Sequence, residues 1–219
     1  MILKAALFDN DGTLVDSEEL ILSSFRYATK SVLGEALPDE VLRRKVGQPL
    51  RTQMADFTPD VDKREELFRV YQEFNAREHD RMIRLFPGVA NTLGTMLQRG
   101  LRLGVVTSKL SENCLRNLSH LGIDRYFECI VAPDNCPMHK PDPGPVLEGA
   151  KLLGARPEQC VYVGDSPYDI AAGRDAGCTT IAVTYGVFSR EDLKPERPDY
   201  FCDSFAELLS VLDGLVRRG

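Results

Sequence analysis

Two aspartates separated by one residue are the groups of this sequence best placed to do chemistry. Asp9 and Asp11 belong to the pentapeptide Asp-Asn-Asp-Gly-Thr at 9–13, which directly follows the apolar run 3–8. An ionised carboxylate is costly to bury unless a cation or hydrogen-bond donors hold it. Two such groups where a buried strand runs into a turn therefore indicate that the segment binds a cation, attacks an electrophile, or does both.

More polar residues follow other apolar runs. Thr107, Ser108 and Lys109 follow one run, and Gly-Asp-Ser-Pro-Tyr-Asp at 164–169 follows another. Lys-Pro-Asp-Pro at 140–143 lies in the loop after a third run. Since the carboxyl ends of parallel strands share one edge of a sheet, the pattern predicts four carboxylates, a hydroxyl and an ammonium at one crevice.

These residue types suit chemistry on a phosphoryl group. Asp9, Asp165 and Asp169 offer hard oxygen ligands for Mg²⁺, and without a cation their mutual repulsion would raise their pKa values. A carboxylate can attack phosphorus and form an aspartyl-phosphate, while a second one moves the proton. Thr107 and Lys140 can bind the phosphoryl oxygens. The plain alternative is that these acids only cap turns and helices.

Short β-rich runs alternate with helical patterns along most of the chain. The pattern predicts strands at 3–8, 101–107, 129–132, 160–164 and 179–184, and helices at 89–98, 111–121, 143–153, 167–176 and 204–218. Glycine follows several of these helices, as helix C-termini favour. The alternation predicts an α/β fold, a doubly wound, Rossmann-like parallel sheet with helices on both faces.

One interval breaks this alternation. Between Asp16 and Met82 the patterns are helical, at 17–33, 38–46, 50–57 and 63–81. We therefore expect an inserted helical cap at 16–82 on a catalytic core made of 1–15 and 83–219. An insertion at this point overhangs the strand ends, where open α/β sheets bind ligands. Segments 16–18 and 82–86 would be the hinges that let the cap close.

Taken together, the motifs resemble those of the haloacid dehalogenase superfamily. The pentapeptide at 9–13, Thr107, Lys140 and Gly-Asp-x-x-x-Asp at 164–169 match its four ordered motifs, and the inserted helices resemble its small cap. The resemblance implies that Asp9 is the nucleophile and Asp11 the general acid and base. It implies Mg²⁺ held by the Asp9 carboxylate, the Asp11 carbonyl and Asp165, with Asp169 in support, and a phosphoryl group held by Thr107 and Lys140.

The residue between the two aspartates, Asn10, departs from the apolar or aromatic residue usual in that superfamily. An amide is a poor nucleophile and cannot replace Asp9. We expect Asn10 to contribute its backbone N–H, with its side chain in a local hydrogen bond.

The cap carries a basic cluster that interrupts an otherwise acidic interval. Arg43, Arg44, Lys45 and Arg51 surround Gly-Gln-Pro-Leu at 47–50. This pattern, with 106–109, is similar to the phosphoglycolate phosphatase and pyrophosphatase branch. Gln48, Arg51, Ser108 and Lys109 are therefore candidate substrate-binding residues. The alternative is a solvated charged surface, and for Lys109 the two interpretations weigh equally.

Composition narrows the possible partners. A net charge of −6 disfavours broad nucleic-acid binding, which needs a basic surface. The six cysteines show no C-x-x-C pair, which indicates reduced core thiols. With no signal-peptide pattern and no apolar stretch of membrane-spanning length, we expect a cytoplasmic protein, monomeric or homodimeric, without a membrane partner.

The predicted function is therefore Mg²⁺-dependent hydrolysis of a small phosphorylated metabolite, a phosphoglycolate-like phosphomonoester. The alternatives are a phosphosugar mutase of the β-phosphoglucomutase type and an inorganic pyrophosphatase of the same superfamily. A dehalogenase is disfavoured because carbon–halogen displacement needs no acid at Asp11. A non-catalytic regulatory or scaffolding protein is disfavoured by the complete set of catalytic residues.

Overall fold

The computed structural model describes residues 3–43 and 46–217. In these ranges the strands are β1 (Ala5–Phe8), β2 (Val15–Asp16), β3 (Arg84–Leu85), β4 (Arg102–Val106), β5 (Cys129–Val131), β6 (Cys160–Gly164), β7 (Thr179–Val183) and β8 (Tyr200–Cys202). The helices are α1 (Glu18–Leu33), α2 (Asp39–Arg43), α3 (Leu50–Phe57), α4 (Val61–Met82), α5 (Val89–Gln98), α6 (Ser111–His120), α7 (Gly144–Leu152), α8 (Pro167–Ala176), α9 (Arg190–Leu193) and α10 (Glu207–Arg217).

A six-stranded parallel sheet forms the centre, in the order β5-β4-β1-β6-β7-β8. Strand β1 lies between β4 and β6, with Ala5 opposite Arg102 on one side and Cys160 on the other. The strand order reverses at β1, and such switch points open a crevice at the carboxyl ends of the strands. The predicted α/β, doubly wound parallel sheet is confirmed.

Side chains of β1 alternate between two apolar layers, as the two-residue period of a strand requires. Phe8 packs in a cluster that includes residues of α5, α6 and α10. Leu7 packs in a second cluster that includes residues of α7 and α8. Both faces of the sheet are therefore covered, which explains why the sequences of the strands are continuous apolar runs.

Helices α1 to α4 have a hydrophobic cluster of their own, centred on Phe25, Met54 and Leu67. The antiparallel pair of β2 and β3 carries the chain into and out of this helical segment, with Val15 opposite Leu85 and Asp16 opposite Arg84. Strand β3 lies within the predicted hinge 82–86, and β2 shares only Asp16 with the predicted hinge 16–18. The boundaries of a separate cap domain at 16–82 stay a prediction.

Several short elements were not predicted from the sequence. Strand β8 and helix α9 have three and four residues, too few for a period to show. Helix α4 begins at Val61, earlier than predicted, because the Asp60 side chain accepts hydrogen bonds from Asp62 N and Lys63 N at 3.0 and 3.2 Å. The predicted helices 38–46 and 204–218 extend over residues 44, 45 and 218, which lie outside the described part.

All six cysteines are free thiols, as predicted, and five of them are buried. Within 3–43 and 46–217, no helix has both the length and the apolar character needed to cross a bilayer.

Candidate active site

The loop after β1 turns tightly against β6. The carbonyl of Asn10 accepts hydrogen bonds from Leu14 N and Val15 N at 3.0 and 2.9 Å. Gly12 has a φ of +84°, and a Cβ placed on it would lie 2.2 Å from Asp165 Oδ2. Only glycine suits both the positive φ and this close approach. The turn therefore brings the backbone of the 9–13 segment against the carboxylate of Asp165.

Three buried carboxylates meet at this edge of the sheet. One oxygen each from Asp9, Asp165 and Asp169 lies within 4.8 Å of the other two. Asp9 and Asp165 directly follow the neighbouring strands β1 and β6, and Asp169 lies in the first turn of α8. The sequence prediction that these three acids converge is therefore matched by the geometry.

Lys140 reaches two of these acids from the loop after β5. Its Nζ donates to Asp9 Oδ1 at 2.8 Å and to Asp169 Oδ1 at 2.5 Å, and the residue is buried. Burial alone would lower the pKa of Lys140, but the charges of Asp169 and Asp9 outweigh burial and raise it. The two acids thus favour the charged form of Lys140.

Asp169 is held on both oxygens. Its Oδ1 accepts from Lys140 and from Tyr162 OH at 2.9 Å, and its Oδ2 accepts from Ser166 N at 3.1 Å and Ser166 Oγ at 2.5 Å. With so many donors around it, Asp169 orients Lys140. Tyr162 was missed from the sequence, where its only signal is a polar tip within an apolar strand that must find a partner.

Asp9 shares Lys140 with Asp169, and Asp165 has no cation among its direct contacts in the described residues. Burial raises the pKa of Asp9 to about 7 despite the attraction of Lys140, with repulsion from Asp169 and Asp11 adding to the rise. Burial, followed by repulsion from Asp9 and Asp169, raises the pKa of Asp165 well above its usual range. Asp165 accepts from Val187 N at 2.8 Å and Thr13 Oγ1 at 3.4 Å. The cluster is short of positive charge.

Asp11 has a different environment although it lies only two residues from Asp9. Its Oδ1 accepts from Ser17 Oγ at 2.5 Å and from Lys109 Nζ at 2.9 Å. Burial opposes ionisation, but Lys109 and the hydrogen bond from Ser17 outweigh it and lower the pKa of Asp11. The side chain of Lys109 is 15% exposed, so it is an ion-pair partner and not the solvated lysine of the alternative interpretation.

The residues after β4 join the core to the helical segment. Thr107 lines the crevice, and its Oγ1 accepts from Lys109 N at 3.1 Å. Ser108 Oγ donates to the carbonyl of Gly47 at 2.7 Å. The predicted substrate-binding residue Ser108 therefore bonds to the loop before α3.

Of the basic cluster, the structure describes Arg43 and Arg51; Arg44 and Lys45 lie outside the described residues. Arg43 pairs with Glu18 at 2.6 Å. Arg51 pairs with Glu65 and lies 4.1 Å from the centre of the Phe68 ring, at the mouth of the crevice. Gln48 bridges towards the core, its Nε2 donating to Tyr168 OH at 2.6 Å.

The Asn10 side chain is fully buried, and its Oδ1 and Nδ2 make no hydrogen bond of ordinary geometry to the described residues. A weaker interaction with the neighbouring Asp11 carboxylate contributes to the lowered pKa of Asp11, so the expected local hydrogen bond is present only in this weak form. The loop uses the carbonyl of Asn10 instead.

A cavity of about 740 Å³ extends from the carboxylates to the helical segment. Asp9, Asp11, Asp165 and Thr107 form one end of its lining. Side chains of α3, α4 and α6, including the buried His79 and Asn117, line the rest. His79 and Asn117 were missed as lining residues because only the packing of α4 against α6 reveals them.

Comparison with known proteins identifies relatives that match most of this chain. The family model described as haloacid dehalogenase-like hydrolase matches residues 6–183. A putative pyrophosphatase PpaX of Caldanaerobacter subterraneus subsp. tengcongensis is 37% identical over 214 residues, covering 98% of this chain and 96% of that protein. A pyrophosphatase PpaX of Anoxybacillus flavithermus is 31% identical over 218 residues, covering both chains fully.

A solved structure shows the same architecture. The crystal structure of a predicted phosphoglycolate phosphatase from Haemophilus somnus superposes with a TM-score of 0.88 at 28% identity, covering 96% of this chain and 98% of that one. The fold is therefore shared with this structure over nearly the whole chain.

Proposed function

This chain belongs to the haloacid dehalogenase-like hydrolases, and from that membership we propose that it is a magnesium-dependent phosphatase of small phosphorylated metabolites. The observation that carries the proposal is the buried set of Asp9, Asp165 and Asp169, compensated by Lys140 alone among its direct contacts in the described part of the chain. The substrate we propose is a phosphomonoester of the phosphoglycolate-like class.

The donor set fits Mg²⁺. Carboxylate oxygens are ligands that this hard cation accepts, and the pKa values of Asp9 and Asp165 are raised by burial and by repulsion between the acids, which supports a divalent ion as the compensating charge. We propose that the Asp9 carboxylate, the Asp11 carbonyl and Asp165 hold the ion, and that Asp169 supports them through Lys140. The bound ion would offset charge on the phosphoryl oxygens.

In the first half of the proposed reaction, an Asp9 oxygen attacks phosphorus. A phosphorus–oxygen bond forms to Asp9, the bond to the leaving oxygen breaks, and Asp11 gives that oxygen its proton. Lys140 and the Thr107 hydroxyl would bind the phosphoryl oxygens, as would the N–H groups of the loop at 10–12.

In the second half, Asp11 takes a proton from water as the water oxygen attacks phosphorus. The phosphorus–oxygen bond to Asp9 breaks, and inorganic phosphate leaves. In the arrangement observed here Asp11 is favoured in its ionised form by Lys109 and Ser17, which suits this step. Protonating the leaving group requires Asp11 to lose part of that stabilisation.

The helical segment would act as the cap of this site. The short strands β2 and β3 connect the helical segment to the core. Ser108 of the core donates a hydrogen bond to Gly47 of the helical segment, and Gln48 of the helical segment donates one to Tyr168 of the core. We propose residues 16–82 as the cap, closing to exclude water from the phosphoenzyme.

Pyrophosphate is a second candidate substrate, favoured by the names of the relatives reported above. A phosphosugar mutase is the third, since it would share the motifs but return the phosphoryl group to sugar.

The test measures phosphate release from acetyl phosphate, phosphoglycolate and pyrophosphate, and isomer formation from sugar phosphates. We expect phosphate release that EDTA abolishes and Mg²⁺ restores. Asp9→Asn should lower kcat by roughly 10⁴-fold or more, because the nucleophile is lost. The matched control is Asp213→Asn, an exposed acid on α10, which should leave kcat unchanged. Substantial turnover by Asp9→Asn would overturn the assignment of the nucleophile.

A further inference from the structure

The loop that follows β7, residues 184–188, crosses the edge of the sheet where the carboxylates lie, and the sequence motifs include none of its residues. Val187 N donates to Asp165 Oδ2 at 2.8 Å. A Cβ placed on Gly186 would lie 2.4 Å from the same oxygen and 2.4 Å from the carbonyl oxygen of Gly12. The backbone of this loop is therefore packed directly against both the carboxylate and the loop after β1.

Tyr185 extends this contact to the end of the pentapeptide. Its hydroxyl donates to the carbonyl of Thr13 at 2.9 Å, although the two residues are 172 positions apart in the sequence. Thr13 Oγ1 in turn donates to Asp165 Oδ1 at 3.4 Å. Burial and the charge of Asp165 raise the pKa of Tyr185, so its hydroxyl keeps its proton and remains a donor. The loop thus holds one oxygen of Asp165 directly and the other through Thr13.

The ring of Tyr185 packs on the predicted hinge 82–86. Its centroid lies 4.6 Å from the ring centroid of Phe86, the residue that directly follows β3. The backbone N–H of Phe86 donates to the carbonyl of Leu14 at 3.3 Å. One side chain therefore contacts the hinge with its ring and the segment beside Asp165 with its hydroxyl.

Val187 gives the same loop a contact with the helical segment. Its side chain packs against the hydrophobic cluster of helices α1 to α4, while its backbone N–H is the donor to Asp165. Groups that orient a metal ligand through hydrogen bonds affect metal affinity by about 10- to 100-fold when they are removed. A loop that holds a candidate metal ligand and also contacts the hinge and the helical segment can relate the state of one to the state of the others.

We propose that Tyr185 is a positioning residue that links the Mg²⁺ site to the hinge. Its hydroxyl orients Thr13 and, through it, Asp165, while its ring makes this orientation depend on the packing of Phe86. The inference rests on the proposed magnesium-dependent function and adds a residue that lies outside the four motifs. Since coupling between two sites is reciprocal, binding of the cation should also stabilise the hinge.

The first experiment measures the Kd of Mg²⁺ by isothermal titration calorimetry. Tyr185→Phe removes the hydroxyl and keeps the ring, and we expect its Kd to rise about tenfold. The Tm of the metal-free variant should fall by at most a few degrees, because one hydrogen bond is lost. Tyr200→Phe, at a partly buried tyrosine on the edge strand β8, is the matched control and should keep the wild-type Kd. An unchanged Kd in Tyr185→Phe would overturn the proposal.

Turnover separates positioning from general structural damage. With acetyl phosphate as the substrate, Tyr185→Phe should need about tenfold more Mg²⁺ to reach half of its maximal rate. At saturating Mg²⁺, its KM for acetyl phosphate should equal the wild-type value, because the hydroxyl acts on the cation site and not on the substrate. Equal losses of rate at every Mg²⁺ concentration would indicate a structural role only and contradict the proposal.

The second experiment tests the link to the hinge by hydrogen exchange and mass spectrometry, at exchange times too short for global unfolding. Saturating Mg²⁺ should slow exchange in peptides that cover 82–88 of the wild-type protein, and Tyr185→Phe should lose most of this protection. Peptides from α7 are the internal control and should not respond. Phe86→Leu, which removes the ring contact, should raise the Kd of Mg²⁺ about threefold or more. Exchange at 82–88 that is the same with Mg²⁺ and with EDTA would refute the link.

The two levels of inference fail differently. If Mg²⁺ does not bind the wild-type protein, the proposed magnesium-dependent function fails, and the role of Tyr185 fails with it. If Mg²⁺ binds the wild-type protein and Tyr185→Phe equally well, the proposed function stands and only the role of Tyr185 fails.

Discussion

The floor and the mouth of the crevice each contain an ion pair, which is buried at the floor and exposed to solvent at the mouth. At the floor, Lys140 pairs with Asp9 and Asp169, and these side chains are 2%, 8% and 0% exposed. At the mouth, Arg51 pairs with Glu65, and these side chains are 60% and 61% exposed. Each region pairs a cation with carboxylate, but only the floor excludes water.

This difference determines what each region can tolerate. Removing one member of a buried pair leaves an uncompensated charge in the interior, whereas water replaces the lost partner at the surface. The floor is therefore constrained by stability as well as by chemistry. The mouth can change its side chains without unfolding the protein, which suits a region that selects substrates.

Lys140→Met should give the largest effect and tests the floor directly. The substitution leaves Asp9 and Asp169 without their cation, and we expect a loss of about 3–5 kcal/mol in the free energy of unfolding at neutral pH. Urea denaturation with EDTA present measures it. The double variant Lys140→Met with Asp9→Asn should recover part of the loss, because one buried charge is removed. A change below about 1 kcal/mol would show that the floor behaves like a surface pair.

Mg²⁺ binding and pH should change the stability of the protein by an intermediate amount, and they should act through the buried acids of the floor. The pKa of Asp9 is raised to about 7, so the metal-free protein is stabilised by holding this proton at acidic pH and loses that stabilisation as pH rises through about 7. Mg²⁺ binds the ionised acids, so its stabilisation should grow in the same direction.

Thermal denaturation with Mg²⁺ or EDTA measures this linkage. At about pH 8, Mg²⁺ at roughly 100 times its Kd should raise Tm by about 5 °C, and by clearly less at about pH 5.5. Asp165→Asn should weaken the effect. An equal rise at both pH values would contradict the assignment of Asp9 and Asp165 as ligands.

Arg51→Met should give the smallest effect and tests the mouth. The Arg51–Glu65 pair is exposed, so we expect the free energy of unfolding to change by less than about 1 kcal/mol. Chemical denaturation alongside Lys140→Met makes the comparison under one set of conditions. A loss as large as that of Lys140→Met would remove the distinction between the two regions.

Much of the floor could be predicted from the sequence because several of its residues directly follow an apolar run. Asp9, Thr107 and Asp165 follow β1, β4 and β6, and parallel pairing brings the ends of these three neighbouring strands together. Tyr162 could not be assigned in this way. Its role comes from a hydrogen bond to Asp169 that depends on how α8 packs on β6.

The mouth was less predictable from the same chain. Arg51, Gln48 and Lys109 were candidate substrate contacts, but the structure gives them protein partners in Glu65, Tyr168 and Asp11. Long polar side chains on helices can reach several neighbours, and their spacing does not say which one they meet. The lining residues His79 and Asn117 belong to no motif, since they lie on two helices that are distant in the sequence.

By itself, the sequence determined the parallel sheet, the interrupting helices and the family of the site, because strand periodicity and motif order are local properties of the chain. Only the tertiary structure decided which charges lose water and which side chains face each other across the crevice. Asp9 and Asp11 show the physical reason: two residues apart in the same loop, they have opposite pKa shifts. Burial outweighs the attraction of Lys140 at Asp9, whereas Lys109 and Ser17 together outweigh burial at Asp11. The electrostatic environment of a group is a property of packing, not of its position in the sequence.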